Sequence, residues 1–173
     1  MANRRSDNLA APEYRVLMVC LGNICRSPTA TAVLRTLAAR EQLPVRLQVE
    51  GAGTADYHVG APPDQRSIEH GLRRGYDLRG LRARQVTIRD FDDFDLILSV
   101  DAPNLQILQR RAPASNRAKL GLLLDQARGQ SLREVPDPYY GGARDFEQVL
   151  DLCELAARGL IASLLSNARA PRS

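Results

Sequence analysis

Apolar positions along this chain fall into short runs that alternate with longer helical stripes. Val16-Leu17-Met18-Val19 is an unbroken apolar run of strand length and reads as a buried strand. Beyond it, Ala30, Val33, Leu34, Leu37 and Ala38 recur at i, i+3, i+4, i+7 and i+8, the spacing of one helix face. Residues 45–49 alternate apolar and polar and predict a second strand. Residues 51–63 are rich in turn formers, and a helix is predicted over 64–74, closed by Gly75. Thr87 with Asp90 is placed to cap a short helix ahead of a third strand over 95–100. Asp101 and Pro103 open a further helix to about residue 110, and 119–123 carries the weakest strand pattern. Asp145 with Gln148 resembles a capping box. It starts the longest helix, which carries Phe146, Val149, Leu150, Cys153, Ala157, Leu160, Ile161 and Leu164 on one side.

Strands that alternate with helices predict an α/β fold, a doubly wound parallel sheet with helices on both faces. Ligands of such sheets sit beyond the carboxyl ends of the strands. One domain is expected over 14–166, with residues 1–13 as a disordered leader and 167–173 as a flexible tail. No internal repeat, low-complexity segment or second domain is visible in the pattern.

Composition narrows the function more than the fold. The net charge is +4, Lys119 is the single lysine, and the arginines are spread along the chain with no nucleic-acid motif. Nucleic acid is therefore not an expected partner. No apolar run approaches the length of a membrane span, and residues 1–12 contain no apolar core of a secretion signal. Three cysteines without such a signal point to a reduced, cytoplasmic setting rather than a disulfide framework. Asp92, Asp93 and Asp95 read as a solvated turn, because they lack metal-ligand spacing. His58 and His70 read as structural, and Cys153 as a core thiol.

The chemistry concentrates between the first strand and the first helix, in Cys20-Leu21-Gly22-Asn23-Ile24-Cys25-Arg26-Ser27-Pro28. Pro28 suits the first turn of that helix and Ser27 its N-cap. A loop in this position aims backbone N–H groups at whatever lies above the helix N-terminus, where the dipole favours an anion. Gly22 and Asn23 tolerate the left-handed conformation that curls such a loop into a ring. Cys20 stands at the strand end, where the same field favours a thiolate. Arg26, six positions on, can reach back and clamp two oxygens of a phosphate. A nucleophile, an oxyanion cradle and a fixed cation in one loop suit attack of sulfur on phosphorus, and no metal or cofactor is needed.

The run VCLGNICRSP resembles the active-site loop of the low-molecular-weight protein tyrosine phosphatases. The likeness continues through GAGTADYHVG, PPDQRS, ARQVT, FDLILSVDAPN and VPDPYYGG. It implies a four-stranded sheet in the order 2-1-3-4. It also bears on Asp137, which two flanking prolines stiffen: the residues alone leave a turn aspartate and a proton donor equally open. The resemblance implies the general acid. It likewise implies that Tyr57 and Tyr139 line a slot for an aromatic ring, with Tyr140 beside them. Two positions depart from the family pattern. Gly51 stands where a serine usually braces the loop asparagine, here Asn23, and Thr31 stands where glutamate is frequent.

The expected function is a phosphatase for phosphotyrosine proteins and small aryl phosphates, releasing inorganic phosphate through a phosphocysteine intermediate. Cys20, Arg26 and Asp137 are the expected catalytic residues, and residues 21–27 the phosphate cradle. A second expectation is reversible inactivation through a Cys20–Cys25 disulfide. Alternatives on the same fold are an arsenate reductase, which would need a further downstream cysteine pair, and a phosphoarginine phosphatase, which carries threonine where Ile24 stands here. A catalytically silent phosphate-binding module is the alternative of another class.

Overall fold

The computed structural model describes residues 11–169. Four strands, β1 (Glu13–Cys20), β2 (Arg46–Gly53), β3 (Leu96–Ser99) and β4 (Leu120–Leu122), form one sheet in the order β2-β1-β3-β4. Every adjacent pair is parallel, so the expected topology holds. The crossovers are α1 (Arg26–Ala38), α2 (Gln65–Arg73), α3 (Asp90–Asp93) and α4 (Ala102–Arg111), with α5 (Ala143–Arg169) completing the layer over α1. Short 3₁₀ turns at Ala114–Lys119 and Leu123–Gln126 flank β4.

Alternation along β1 divides the core. Val16, Met18 and Cys20 point to the α1 and α5 face, where they meet Val33, Leu34, Leu150 and Leu160. Leu17 and Val19 point to the other face and pack with Phe91, Phe94, Ile97 and Leu108. A strand buried on both faces must be apolar throughout, which is why this run has no polar alternation. The period of two also settles that Cys20 leaves the strand on the α1 side.

Several local expectations shift. β2 continues through Gly51-Ala52-Gly53, where a turn was expected, because this stretch pairs with Met18-Val19-Cys20 by backbone bonds that need no β propensity. Gly53 has a steric reason: a Cβ there would stand 2.6 Å from the Leu21 carbonyl oxygen. α5 begins at Ala143 rather than at Asp145. Asp145 lies inside the first turn and its carboxylate accepts from the Gly142 N–H at 2.7 Å, while Gln148 takes no part. Likewise α3 begins at Asp90, whose carboxylate accepts from the Thr87 N–H at 2.7 Å, and Thr87 is not the N-cap. Asp101 is the N-cap of α4 as expected, accepting from the Asn104 N–H at 3.0 Å. Glu13 already pairs with Arg46, so the strand takes the last residue of the expected leader. Residues 1–10 and 170–173 lie outside the described residues, and α5 runs to Arg169 within the expected tail.

Gly159 sits in the interior of α5, where glycine costs about 1 kcal/mol relative to alanine. A Cβ at this position would collide with the Gln126 backbone carbonyl. Gly159→Ala is expected to destabilise the protein by about 1–3 kcal/mol despite its better helix propensity. Urea unfolding measures this, and a raised midpoint would contradict the close approach.

Candidate active site

β1 ends at Cys20 and α1 begins at Arg26, so the connecting loop must reverse within a few residues at the carboxyl edge of the sheet. Asn23 makes the reversal with φ of 56°, the one positive φ of a non-glycine among the described residues. Gly22 does not share that conformation. Its lack of a side chain serves the His58 ring instead, which a Cβ would approach to 2.9 Å. With the chain curled this way, the Asn23 N–H donates to the Cys20 Sγ at 3.2 Å. Ser27 lies within the first turn of α1 and is not its N-cap, a role that falls to Cys25 without any side-chain cap. The Ser27 hydroxyl is turned inward, 3.0 Å from the Cys20 sulfur. It accepts from the Asn23 side-chain amide at 2.6 Å, which leaves its own proton free for the sulfur. Two donors thus converge on Cys20.

Asn23 is held at its other end as well. Its Oδ1 accepts from the Arg84 backbone N–H at 3.1 Å, and the Arg84 guanidinium forks onto Asp90 at 2.9 and 3.0 Å. Gly51 cannot brace Asn23, and the asparagine amide lies against it: a Cβ at Gly51 would stand 2.9 Å from Asn23 Nδ2. Thr31 donates to the Ser27 carbonyl at 2.8 Å and so ties the first turn of α1 together.

Arg26 is buried and its guanidinium is fixed from two sides. Nη1 donates to Asp101 Oδ2 at 2.7 Å and to the Val135 carbonyl at 3.1 Å. Nη2 lies 3.6 Å from Asp137 Oδ2. Asp101 therefore caps α4 with one oxygen and orients Arg26 with the other, a second role that the sequence reading missed. Its position at the end of β3, on the same sheet edge as the Cys20 loop, was the available signal. Asp137 is half-exposed and accepts from the Tyr139 N–H at 3.1 Å.

A cavity of about 340 Å³ opens above the loop. Cys20, Leu21, Gly22, Ile24, Cys25 and Arg26 border it from below, and Tyr57, His58, Asp137, Tyr139 and Tyr140 border it from the sides. Asn23 and Ser27 do not reach it; they act beneath the loop. Tyr139 and Tyr140 meet edge to face with centroids 4.9 Å apart, and Tyr140 is 96% exposed. His58, read as structural, stands at the cavity wall beside Tyr57, and only its neighbourhood to that tyrosine hinted at this. His70 lies elsewhere, on α2, paired with Glu147 at 2.6 Å. A larger cavity of about 930 Å³, between the end of α1 and the start of β2, holds none of the expected site residues.

The other two thiols are unlike Cys20 in their surroundings. Burial, with Asp64 nearby, pushes the Cys25 thiol up to about 12. Burial, with Glu154 nearby, pushes Cys153 up to about 12 on the inner side of α5. Among the described residues, no group of three or more His, Cys, Asp or Glu is placed to hold a metal ion. No helix among them is long and apolar enough to cross a membrane.

Residues 15–170 match the model of the family described as low molecular weight phosphotyrosine protein phosphatase. The chain belongs to this family. The low molecular weight protein-tyrosine-phosphatase YfkJ of Bacillus subtilis is 42% identical over 86% of this chain and 94% of its own. The human low molecular weight phosphotyrosine protein phosphatase is 40% identical over 84% and 92%. A crystal structure of a protein tyrosine phosphatase from Entamoeba histolytica, with Hepes in the active site, superposes with a TM-score of 0.86. It is 37% identical and covers 91% of this chain and all of that one. The protein is accordingly a low-molecular-weight phosphatase, a hydrolase, and the Cys20 loop occupies the sheet edge where its fold class binds ligands.

The contrast among the three thiols of this phosphatase is testable. Near pH 8, iodoacetamide is expected to modify Cys20 first and to leave Cys25 and Cys153 unmodified, because a thiol that titrates near 12 supplies almost no thiolate there. Peptide mass mapping gives the answer. Early label on Cys25 would contradict the burial that raises its thiol.

Proposed function

We propose that this phosphatase hydrolyses phosphotyrosine in cytoplasmic proteins, and small aryl phosphates, through a phosphocysteine intermediate. The observation that carries the reading is the convergence of the Cys20 sulfur, the Arg26 guanidinium and the Asp137 carboxyl on one cavity. The Cys20 thiolate attacks phosphorus in line, forming the S–P bond as the P–O bond to the phenol breaks. Arg26 and the backbone N–H groups of residues 21–27 hold the three equatorial oxygens. Asp137, in its protonated form, gives its proton to the departing phenolate oxygen, then as carboxylate takes one from the attacking water. Phosphate leaves and Cys20 is again a thiolate. The Ser27 hydroxyl, 3.0 Å from the sulfur, favours that departure. Positive charge comes from the loop and Arg26, so the chemistry asks for no metal.

Ile24 borders the cavity and supports the choice of substrate. An apolar wall fits an aryl ring better than a guanidinium, so phosphotyrosine is preferred over phosphoarginine. Tyr57 and Tyr139 flank the ring, with Tyr140 at the rim.

Turnover of p-nitrophenyl phosphate in EDTA tests the reading directly. Wild type is expected to be active, and Cys20→Ser to lose turnover while still binding phosphate. Asp137→Asn is expected to slow turnover roughly 10²–10⁴-fold, more for leaving groups of higher pKa. An equal loss for p-nitrophenol and tyrosine esters would reduce Asp137 to a shaper of its loop.

Redox control of the same loop is a further part of the proposal, supported by the presence of both Cys20 and Cys25 at the cavity. Peroxide oxidises the Cys20 thiolate to a sulfenic acid, itself reduced to water. The Cys25 thiol then condenses with the sulfenic acid, forming a disulfide and releasing a second water. Cys25→Ser is expected to stay active but to recover poorly under dithiothreitol after peroxide. Full recovery would remove Cys25 from this role.

A further inference from the structure

Beside the cavity, a run of planar groups joins the interior of the molecule to the wall of the slot. It starts at His70 on α2, whose Nδ1 lies 2.6 Å from the Glu147 carboxylate. Glu147 also accepts from Arg74 Nε at 3.1 Å. The His70 ring stacks on Phe146 at the start of α5, with centroids 5.8 Å apart and planes within 15°. The Arg66 guanidinium stands 4.6 Å from the centre of the Phe146 ring and 5.6 Å from that of Tyr139. Tyr139 in turn borders the cavity and donates its N–H to Asp137 at 3.1 Å.

Arg66 has no freedom to serve as a simple charge. Its Nε and Nη2 fork onto Asp64 at 3.0 and 2.9 Å. The fork holds the Asp64 carboxyl below its usual range. Asp64 is anchored to the catalytic loop, since its N–H donates to the Ile24 carbonyl at 2.8 Å. With its edge occupied by Asp64, what Arg66 offers the two rings is its flat face, the arrangement of a cation–π contact. One side chain therefore ties together the loop floor, the start of α5 and the tyrosine of the wall.

We propose that Arg66 is a positioning residue for the aryl slot, fixing the Tyr139 ring against the bound substrate through the continuous contact of His70, Phe146, Arg66 and Tyr139. The proposal rests on the aryl-phosphate reading above and adds what makes the slot rigid. Without Arg66, Tyr139 stays exposed at the mouth and must be ordered by the ligand at each binding event. The cost falls on ligands that carry a ring and spares those that carry only the phosphate.

Calorimetry on the full chain with two probes, inorganic phosphate and benzylphosphonate, separates these effects. Wild type is expected to bind benzylphosphonate more tightly than phosphate. Arg66→Leu is expected to weaken benzylphosphonate roughly three- to tenfold, the scale of one cation–π contact, with phosphate changed less than about twofold. Arg66→Lys is expected to lose most of the same preference, because an ammonium lacks the planar face and the fork. Tyr139→Leu should remove the aryl preference, and adding Arg66→Leu to it should cost nothing further. A parallel loss for both probes, or additive losses in the double variant, would overturn the proposal. An aryl preference that survives Arg66→Leu overturns it alone, whereas a wild type with no such preference overturns the aryl-slot reading as well.

Discussion

The active site depends on a backbone conformation that L-residues avoid. Asn23 holds φ of 56°, a region that costs most side chains about 1–2 kcal/mol. Three hydrogen bonds offset it: the N–H to the Cys20 sulfur, the side-chain amide to Ser27, and the Arg84 N–H to its Oδ1. Each bond does a second job. The first places a donor on the Cys20 sulfur, the second turns the Ser27 proton toward that sulfur, and the third ties the loop to the segment between α2 and α3. A residue without both an amide donor and a carbonyl acceptor on a short stem could not make the last two together. The curl of the loop and the polarisation of its cysteine are consequently one feature.

Parallel topology supplies the rest. β1 and β3 are neighbours in the sheet, yet their crossovers place α1 and α4 on opposite faces, so the two loops diverge from a shared edge. Arg26 at the start of α1 bridges the gap by pairing with Asp101, the cap of α4. The pair is largely buried, which makes the separation of its charges costly and keeps the guanidinium where it is. The Val135 carbonyl adds a second anchor, from the segment that carries Asp137. One arginine thereby registers the Cys20 loop, the start of α4 and the segment that carries Asp137 against each other.

Much of this was legible in the chain. The apolar run 16–19 and the stripe from Ala30 to Ala38 each carry a local physical signal and lie in β1 and α1, and Cys20 and Arg26 border one cavity. What was not legible depends on contacts distant in sequence. Ser27 has the composition of an N-cap, but tertiary placement beside Cys20 takes its hydroxyl for the sulfur. Gly51 and Gly53 have the composition of a turn, but β1 is there to pair with them, and at Gly53 the loop backbone approaches too closely for a side chain. Asp101 was readable as a cap from Pro103 and the following helix; its bond to Arg26 lies across 75 positions and leaves no local trace. His58 shows the same limit, since only the fold brings it to the wall above Gly22.

The floor and the mouth of the cavity obey different physics, and this bears on what the protein recognises. Around the floor, Cys20, Ser27 and Asn23 are buried and bonded to one another, and Arg26 is buried and bonded to Asp101 and Val135, so a substitution among them leaves an unpartnered polar group. Such a floor tolerates little variation and suits the part of a substrate that never changes, the phosphate. Tyr57 and Tyr140 are mostly exposed, with no comparable network behind them. Tyr139 stands between these regimes, partly exposed yet in contact with Arg66, whose partner Asp64 is bonded to the loop. On the reading proposed above, discrimination among phosphoproteins falls to the exposed tyrosines and His58, while discrimination among phosphoamino acids falls to Ile24 and the depth of the floor. On the same reading, a phosphoserine, lacking the ring's length, leaves its phosphorus short of a sulfur at the bottom of such a cavity, so the depth that buries Cys20 is also what would exclude the shorter substrate.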